Sequence, residues 1–250
     1  DIYGNLYISG YGSHKIRKID REGHVTTFAG SGTAGSTNGA NTTARFNNPY
    51  GLASDSSGNI YVADSANNRI RKIDSNGTVT TIAGSGSAGT TDGMGTSASF
   101  NRPVGIAVDN SGNVYVTDQT GDKIRRIDPS GYVTTLAGTG IQGSSNQGAS
   151  STFNSPSGLA LDSSNNLYVA DLHNHLIRKI SIPPEHSQVA LTLYNLDDET
   201  DDATVNLASS DTGEATVSPA TLTFTGNNWN NAQTVTVTGV NDSDRDRHQD

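Results

Sequence analysis

The sequence predicts an all-β chain: a partial β-propeller of four-stranded blades, about three and a half of them, followed by a smaller β segment. Three observations predict it. A ten-residue unit recurs four times at nearly constant spacing. The stretches between its turns are short, rich in Ile, Val, Tyr and Thr, and show no helical period. The composition changes after Pro183 and Pro184.

The recurring unit is Asp55-Ser56-Ser57-Gly58-Asn59-Ile60-Tyr61-Val62-Ala63-Asp64. It returns beginning at Asp109 and at Asp162, and the chain opens on the same unit at Asp1, so the intervals are 54, 54 and 53 residues. Repeat units therefore span 1–45, 46–99, 100–152 and 153–182. Within the second unit, 51–54, 59–64, 69–74 and 78–83 read as strands a to d. Asp55 to Gly58 joins a to b, and Asp74 to Gly77 joins c to d. In each turn Asp bonds its own backbone and Gly supplies positive φ. Ile70 and Ile73 fall on opposite faces of strand c, which suits a blade held between two neighbours. Four strands per repeat indicate propeller blades.

The corner between strands b and c reads Ser13-His14-Lys15, Asn67-Asn68-Arg69, Gly121-Asp122-Lys123 and Asn174-His175-Leu176. With Phe46-Asn47-Asn48-Pro49-Tyr50-Gly51 ahead of it, the unit resembles the NHL repeat of β-propellers over residues 1–182. That resemblance implies a closed ring of about six blades. Repeat one lacks strand a, and repeat four ends after strand c, where Ile180 to Pro184 replaces the Asp-x-x-Gly turn. These features lead us to expect a propeller end at Ile182, a cut edge at Asp1 and at least two blades upstream. Residues 183–186 form a Pro-Pro linker.

In 187–250, Thr221 to Thr225 and Gln233 to Val240 alternate apolar residues with Thr at period two, the pattern of half-buried strands. Together with Ser209 to Pro219 and Asn228-Trp229-Asn230, they resemble the Calx-beta-type repeats of bacterial surface proteins. The resemblance implies an incomplete immunoglobulin-like β-sandwich.

The 250 residues are 32% hydrophobic and 16% charged, with net charge −9 and no Cys, which removes any disulfide framework or thiolate metal site. No apolar run approaches the ~20 residues of a membrane helix, so no membrane insertion is expected. The charge is uneven. Residues 1–182 hold 14 Lys and Arg against 13 Asp and Glu, a balance of +1; 183–250 hold 2 against 12, a balance of −10. The propeller is thus nearly neutral and the acidity belongs to the second segment.

Four groups of residues merit a chemical reading. Propeller lyases of similar fold hold a metal with His from several blades, and His14 and His175 each lie 13 residues past their repeat's Asp. Equivalent positions hold Asn68 and Asp122, while His24 and His173 stand apart, so a corner role in the fold is favoured over a ligand ring. Arg17, Arg71, Arg125 and Arg178 share one offset in strand c. Some NHL propellers bind RNA through a basic face, but here the charges spread around a rim without interleaved aromatics, so nucleic acid is not the expected partner. Pairing with strand-end carboxylates such as Asp64, Asp118 and Asp171 is expected instead. The Gly/Ser/Thr-rich stretches 31–45, 85–99 and 139–152 emerge on one face and carry Asn38, Asp92 and Asn146 in register. They are candidates for binding a protein or carbohydrate ligand, set against a reading as ordered spacers that wrap the blade edge. Finally, Asp242, Asp244, Asp246 and Asp250 offer alternating oxygen donors suited to Ca²⁺, the one cofactor considered, and a second acidic run covers 197–202. A solvated charge run is the simpler reading of both.

No nucleophile elbow, P-loop, dinucleotide fingerprint or zinc helix occurs, and Asn41, Asn76 and Asn241 begin glycosylation sequons by pattern alone. The functional expectation is a non-enzymatic binding or scaffold module of a secreted or surface-attached bacterial repeat protein. Adhesion, assembly and self-association through exposed blade edges are the expected roles. A metal-dependent lyase or hydrolase working in the channel is the alternative, and RNA binding a lower one.

Overall fold

The computed structural model describes residues 1–182, 187–191, 203–206, 215–225 and 233–239. The chain divides into two units, Asp1–Ser181 and Ile182–Asp250.

The first unit is a four-bladed β-propeller segment of antiparallel sheets. Blade 1 is β1 (Leu6–Gly10), β2 (Lys15–Ile19) and β3 (Val25–Ala29). Blade 2 takes β4 (Gly39–Ala40), β5 (Pro49–Ser54), β6 (Ile60–Asp64), β7 (Arg69–Ile73) and β8 (Thr78–Ala83), in the order β4-β8-β7-β6-β5. Blade 3 repeats that order with β9 (Gly93–Met94), β10 (Pro103–Val108), β11 (Val114–Asp118), β12 (Lys123–Ile127) and β13 (Tyr132–Ala137). Blade 4 is β14 (Pro156–Leu161), β15 (Asn166–Asp171) and β16 (Leu176–Ser181).

Two complete blades therefore have five strands where the sequence suggests four. The extra strand comes from the linker out of the preceding blade, which pairs Gly39 with Val79 and Ala40 with Thr78 before turning inward. Its backbone amides need partners, and the outer edge of the next sheet provides them.

The repeated motif is a turn device. Asp55 Oδ1 accepts the N–H groups of Ser57 and Asn59, both at 2.9 Å. Its Oδ2 accepts Asn59 Nδ2 at 2.7 Å and the Tyr61 hydroxyl at 3.1 Å. Asp1, Asp109 and Asp162 make the same sets, which is why Asp, Asn and Tyr recur at fixed offsets.

The core lies between blades. Ile16 and Ala29 of blade 1 pack on Phe46, Ile60, Val62, Ile73 and Val79. Tyr61, Ala63, Ile70 and Ala83 of blade 2 pack in the same way on Phe100, Ile106, Val114, Val116 and Val133. Each blade thus has one face for its predecessor and one for its successor. At the inner strands the backbones nearly touch. A Cβ on Gly51 would stand 2.2 Å from the Val104 carbonyl oxygen, and one on Gly105 2.2 Å from that of Ser157, so only glycine fits at either position.

In the second unit, β17 (Ser187–Leu191), β19 (Ala215–Ser218) and β21 (Gln233–Gly239) form an antiparallel sheet in the order β17-β21-β19. β18 (Ala203–Asn206) pairs with β20 (Thr221–Phe224). Leu222 is buried between exposed Thr221 and Thr223, the alternation the sequence shows. The acidic run 197–202 and the Ca²⁺ candidates Asp242, Asp244, Asp246 and Asp250 lie outside the described residues.

Candidate functional site

One position of strand c holds an arginine in every blade (Arg17, Arg71, Arg125 and Arg178), and the structure places three of these four at 0% or 7% exposure. Successive side chains of a strand face opposite sides of the sheet, so Ile70 and Arg71, like Ile124 and Arg125, bury on the two faces of their blade. Arg71 Nη1 lies 2.9 Å from Asp64 Oδ2 and also donates to the Arg45 carbonyl at 3.0 Å. Its Nη2 donates to the Thr37 carbonyl at 3.2 Å and to Asn38 Oδ1 at 2.7 Å. Arg125 repeats this with Asp118 at 3.1 Å, Ser99 O at 3.0 Å, Thr91 O at 3.0 Å and Asp92 at 2.6 Å. Arg178 does so with Asp171 at 2.9 Å, Thr152 O at 3.2 Å and Ser145 O at 2.7 Å. Each guanidinium also lies 5.0 to 5.3 Å from the ring centre of Phe46, Phe100 or Phe153.

The partners show what the clamp does. Thr37, Asn38 and Arg45 belong to the linker that arrives from blade 1, so Arg71 fastens that linker to blade 2. Asn38 and Asp92, proposed from sequence as ligand contacts, turn their side-chain oxygens to Arg71 and Arg125 and also accept the hydroxyls of Thr81 and Thr135. Asn146 is exposed, and Arg178 bonds the carbonyl of its neighbour Ser145 instead. The stretches around them are therefore ordered wrappings of the blade edge. Arg17 differs: Gly10 occupies the register of Asp64, and its Nε donates to the Thr26 carbonyl at 3.1 Å.

Burial sets the electrostatics of the clamp. It pushes Asp64 above the usual carboxylate range and Asp118 up to about 7, against the pull of the Asn47 and Asn101 N–H groups and of the arginines. It lowers Arg71 from its ordinary value, against the field of Asp64. A buried pair so placed specifies geometry more than it adds net stability.

The b–c corner forms a second joint. His14 Nδ1 accepts the Asn48 N–H at 3.1 Å, Asn68 Oδ1 the Arg102 N–H at 2.9 Å and Asp122 Oδ1 the Ser155 N–H at 2.7 Å. All six residues have φ between +51° and +58°. His14, weighed as a metal ligand, is thus a backbone acceptor across the joint between blades 1 and 2. Sequence reasoning missed this joint; the signal was that His, Asn and Asp, which share an acceptor atom, alternate at one offset.

Among the described residues, Asp20, Glu22 and His24 could share an ion, with ligand atoms within 4.8 Å of one another. They sit on the c–d turn of blade 1, where the Asp20 carboxylate already accepts the backbone N–H of His24 at 2.8 Å. Cavities of about 230 Å³ and 150 Å³ occupy the joints between blades 2 and 3 and between blades 1 and 2. Both are smaller than the ~300 Å³ at which ligand pockets usually begin. On the face where linkers and corners emerge, Tyr11 and Tyr50 meet edge to face with ring centres 6.1 Å apart, each about half exposed.

Residues 46–73 and 153–180 match the NHL repeat family, and 87–150 match the Teneurin NHL domain. The chain carries NHL repeats on a β-propeller of four blades. Among curated proteins it is 32% identical over 202 residues to Protein SUPPRESSOR OF QUENCHING 1, chloroplastic, of Arabidopsis thaliana, covering 75% of this chain and 19% of that protein. It is 35% identical over 206 residues to NHL repeat-containing protein 2 of Gallus gallus, covering 75% and 28%. Among solved structures it resembles a Bacteroides thetaiotaomicron protein of unknown function, with TM-score 0.59 and 26% identity over 70% of this chain and 44% of that one. An auxiliary nutrient binding protein of the same organism gives TM-score 0.57 at 20% identity, over 71% and 45%, a likeness of fold. The chain spans less than a third of the curated relatives' length and under half of either solved chain.

Proposed function

We propose that this chain is a non-enzymatic binding and scaffold module that engages a protein or glycan outside the cell or at a cell surface. The observation that carries this reading is the Tyr11–Tyr50 pair. Two half-exposed rings in mutual contact sit on the face where the linkers emerge, and tyrosine supplies large contact area with a polar tip at low entropic cost. The arginines and carboxylates that could serve chemistry are bound up in fastening linkers to blades, which supports a scaffold over a lyase. No helix among the described residues is long and apolar enough to cross a membrane.

The test is binding of the chain to a printed glycan array and to a panel of purified extracellular proteins. A ligand whose binding is lost in the Tyr11→Ala/Tyr50→Ala double variant, at unchanged melting temperature, supports the reading. Binding that survives the double variant refutes this site, and silence on both panels refutes the module. The alternating carboxylates Asp242, Asp244 and Asp246, with Asp250, extend the proposal to Ca²⁺ in the second unit. A melting temperature equal in millimolar Ca²⁺ and in chelator removes that extension.

A further inference from the structure

Two clamps of one design carry different residues at one point. Asn38, in the linker to blade 2, stands where Asp92 stands in the linker to blade 3, and each is followed by glycine. Arg71 Nη2 donates to Asn38 Oδ1 at 2.7 Å and the Thr81 hydroxyl donates to it at 3.1 Å. Arg125 Nη2 and the Thr135 hydroxyl donate to Asp92 Oδ1 at 2.6 and 3.0 Å. The backbones agree as well, with φ +147° at Gly39 and +148° at Gly93. One contact differs. Asp92 Oδ2 accepts the Thr135 N–H at 3.0 Å, a bond that an amide nitrogen in its place cannot accept. The position suits a carboxylate, and blade 2 fills it with an amide.

Asn-Gly is also the pair in which a side-chain amide is lost most readily, because no Cβ hinders the glycine nitrogen from reaching Asn38 Cγ. The clamp adds electrophilic help. Its two donors stand 2.7 and 3.1 Å from Oδ1, the oxygen on which negative charge gathers when Cγ is attacked, and these are the distances of an oxyanion hole. Gly39 pairs with Val79 in β4, a strand of two residues at the outer edge of its sheet, and so short an edge opens locally at little cost.

We propose that Asn38 deamidates itself to an aspartate within the folded clamp. The Gly39 nitrogen gives up its proton and bonds Asn38 Cγ, the Cγ–Nδ2 bond breaks, and ammonia leaves with a proton, which closes a five-membered imide. Water then adds to Cγ, the bond from Cγ to the Gly39 nitrogen breaks, and that nitrogen recovers a proton. Water adding at the main-chain carbonyl would give isoaspartate instead, with the chain rerouted through the side chain. Arg71 and Thr81 hold the oxygen on Cγ, so they direct water to Cγ and the product is the ordinary aspartate. It makes the bonds of Asp92, and the linker to blade 2 gains one negative charge without an enzyme.

The test is incubation of the 250-residue chain at pH 8 beside a synthetic peptide of residues 34–44, followed by mass spectrometry that separates aspartate from isoaspartate. Asn76-Gly77, the same pair at an exposed turn, is the internal comparison. Position 38 of the folded chain should yield aspartate in excess, whereas the peptide and position 76 should yield mainly isoaspartate. Thr81→Val keeps the branched shape and removes one donor, so conversion at 38 should slow about fivefold, the weight of one hydrogen bond, and its isoaspartate share should rise. Asn38→Asp should melt no lower than the parent chain and should slow exchange of the Thr81 amide. An amide that persists at 38 once the peptide has fully reacted, isoaspartate in excess there, or a Thr81→Val chain that reacts as the parent does would each overturn the proposal. A lower melting temperature in Asn38→Asp would overturn it too.

Discussion

Replacing Arg125 by Met should destabilise the propeller far more than replacing Arg17 by Met, although both sit at one repeat position in nearly the same Lys-Ile-Arg sequence. Met keeps an unbranched stem beside Phe100 and removes the guanidinium. At Arg125 this strands the Asp118 carboxylate at 0% exposure and takes the donors from Ser99 O and Thr91 O. Removing one partner of a buried pair costs about 3–5 kcal/mol. Arg17 is only half-buried and donates to Thr26 O, so its loss should stay within about 0.5 kcal/mol. At about 2–4 °C per kcal/mol for a unit of this size, the Arg125 variant should melt roughly 6–20 °C lower. Near-UV circular dichroism of the tyrosines follows the propeller. The deficit should also grow with pH. Asp118 already titrates near 7 in the fold, above its ordinary 3.8, and without Arg125 it rises further. A raised carboxyl favours the fold below its unfolded value, and that contribution is lost as pH rises through the folded value. The difference between the two variants should thus be smaller at pH 5 than at pH 8. Melting temperatures of Arg125→Met and Arg17→Met within 2 °C of each other at pH 8 would refute the clamp as the fastening of linker to blade.

Three further outcomes follow from the turns and joints. Bonds from Asn59, Tyr61 and Ser57 outweigh burial and hold Asp55 below its ordinary value, and Asp20, Asp128 and Asp162 are lowered too, so stability present above about pH 4 should fall as pH drops through their folded values. A urea midpoint flat from pH 6 to pH 3 would contradict this. Burial, with the charge of Asp55 behind it, pushes Tyr61 up to about 12 and raises Tyr115 as well, so part of the tyrosine absorbance at 295 nm should titrate late, with stability lost between pH 10 and 12; a single step near 10 would count against it. His14→Ala should speed exchange of the Asn48 amide about fivefold, the equivalent of ~1 kcal/mol, whereas His14→Asn, which copies Asn68, should not; equal rates in both would remove the joint.

The blades were legible because their signals are local. The Asp-x-x-Gly-Asn-x-Tyr spacing places a turn and the strand after it, and β5 to β8 fall within two residues of the strands read from sequence. The fifth strand was not legible. Gly39 and Ala40 have no apolar alternation, and they pair with β8 only because a neighbouring sheet edge lies in reach. The arginine partners were half legible: Asp64, Asp118 and Asp171 stand seven residues before their arginines, but the carbonyls of Thr37 and Arg45 lie in the preceding repeat and carry no residue-specific mark. For the same reason Asn38 and Asp92 read as ligand contacts. Their register is visible in the sequence, whereas the direction their side chains face depends on a linker path the sequence does not encode locally.

The joints also say where function can reside. The contacts that recur from joint to joint use residues shared between repeats: the corner acceptor, the inner glycine, the clamp arginine and its carboxylate. Positions outside that shared set differ from blade to blade. Tyr50 stands where the next two repeats have Val104, nearly buried, and Ser157; Tyr11 stands where they have Ser65, buried against the Pro103 carbonyl, then Gln119 and Leu172. Neither tyrosine is asked for by the repeat, and both are placed, in contact, on the face that the linkers share. A pair that departs from the pattern together, at adjoining positions of two blades, is the observation behind the proposed binding face. That makes the double tyrosine variant the measurement on which the binding reading stands or falls.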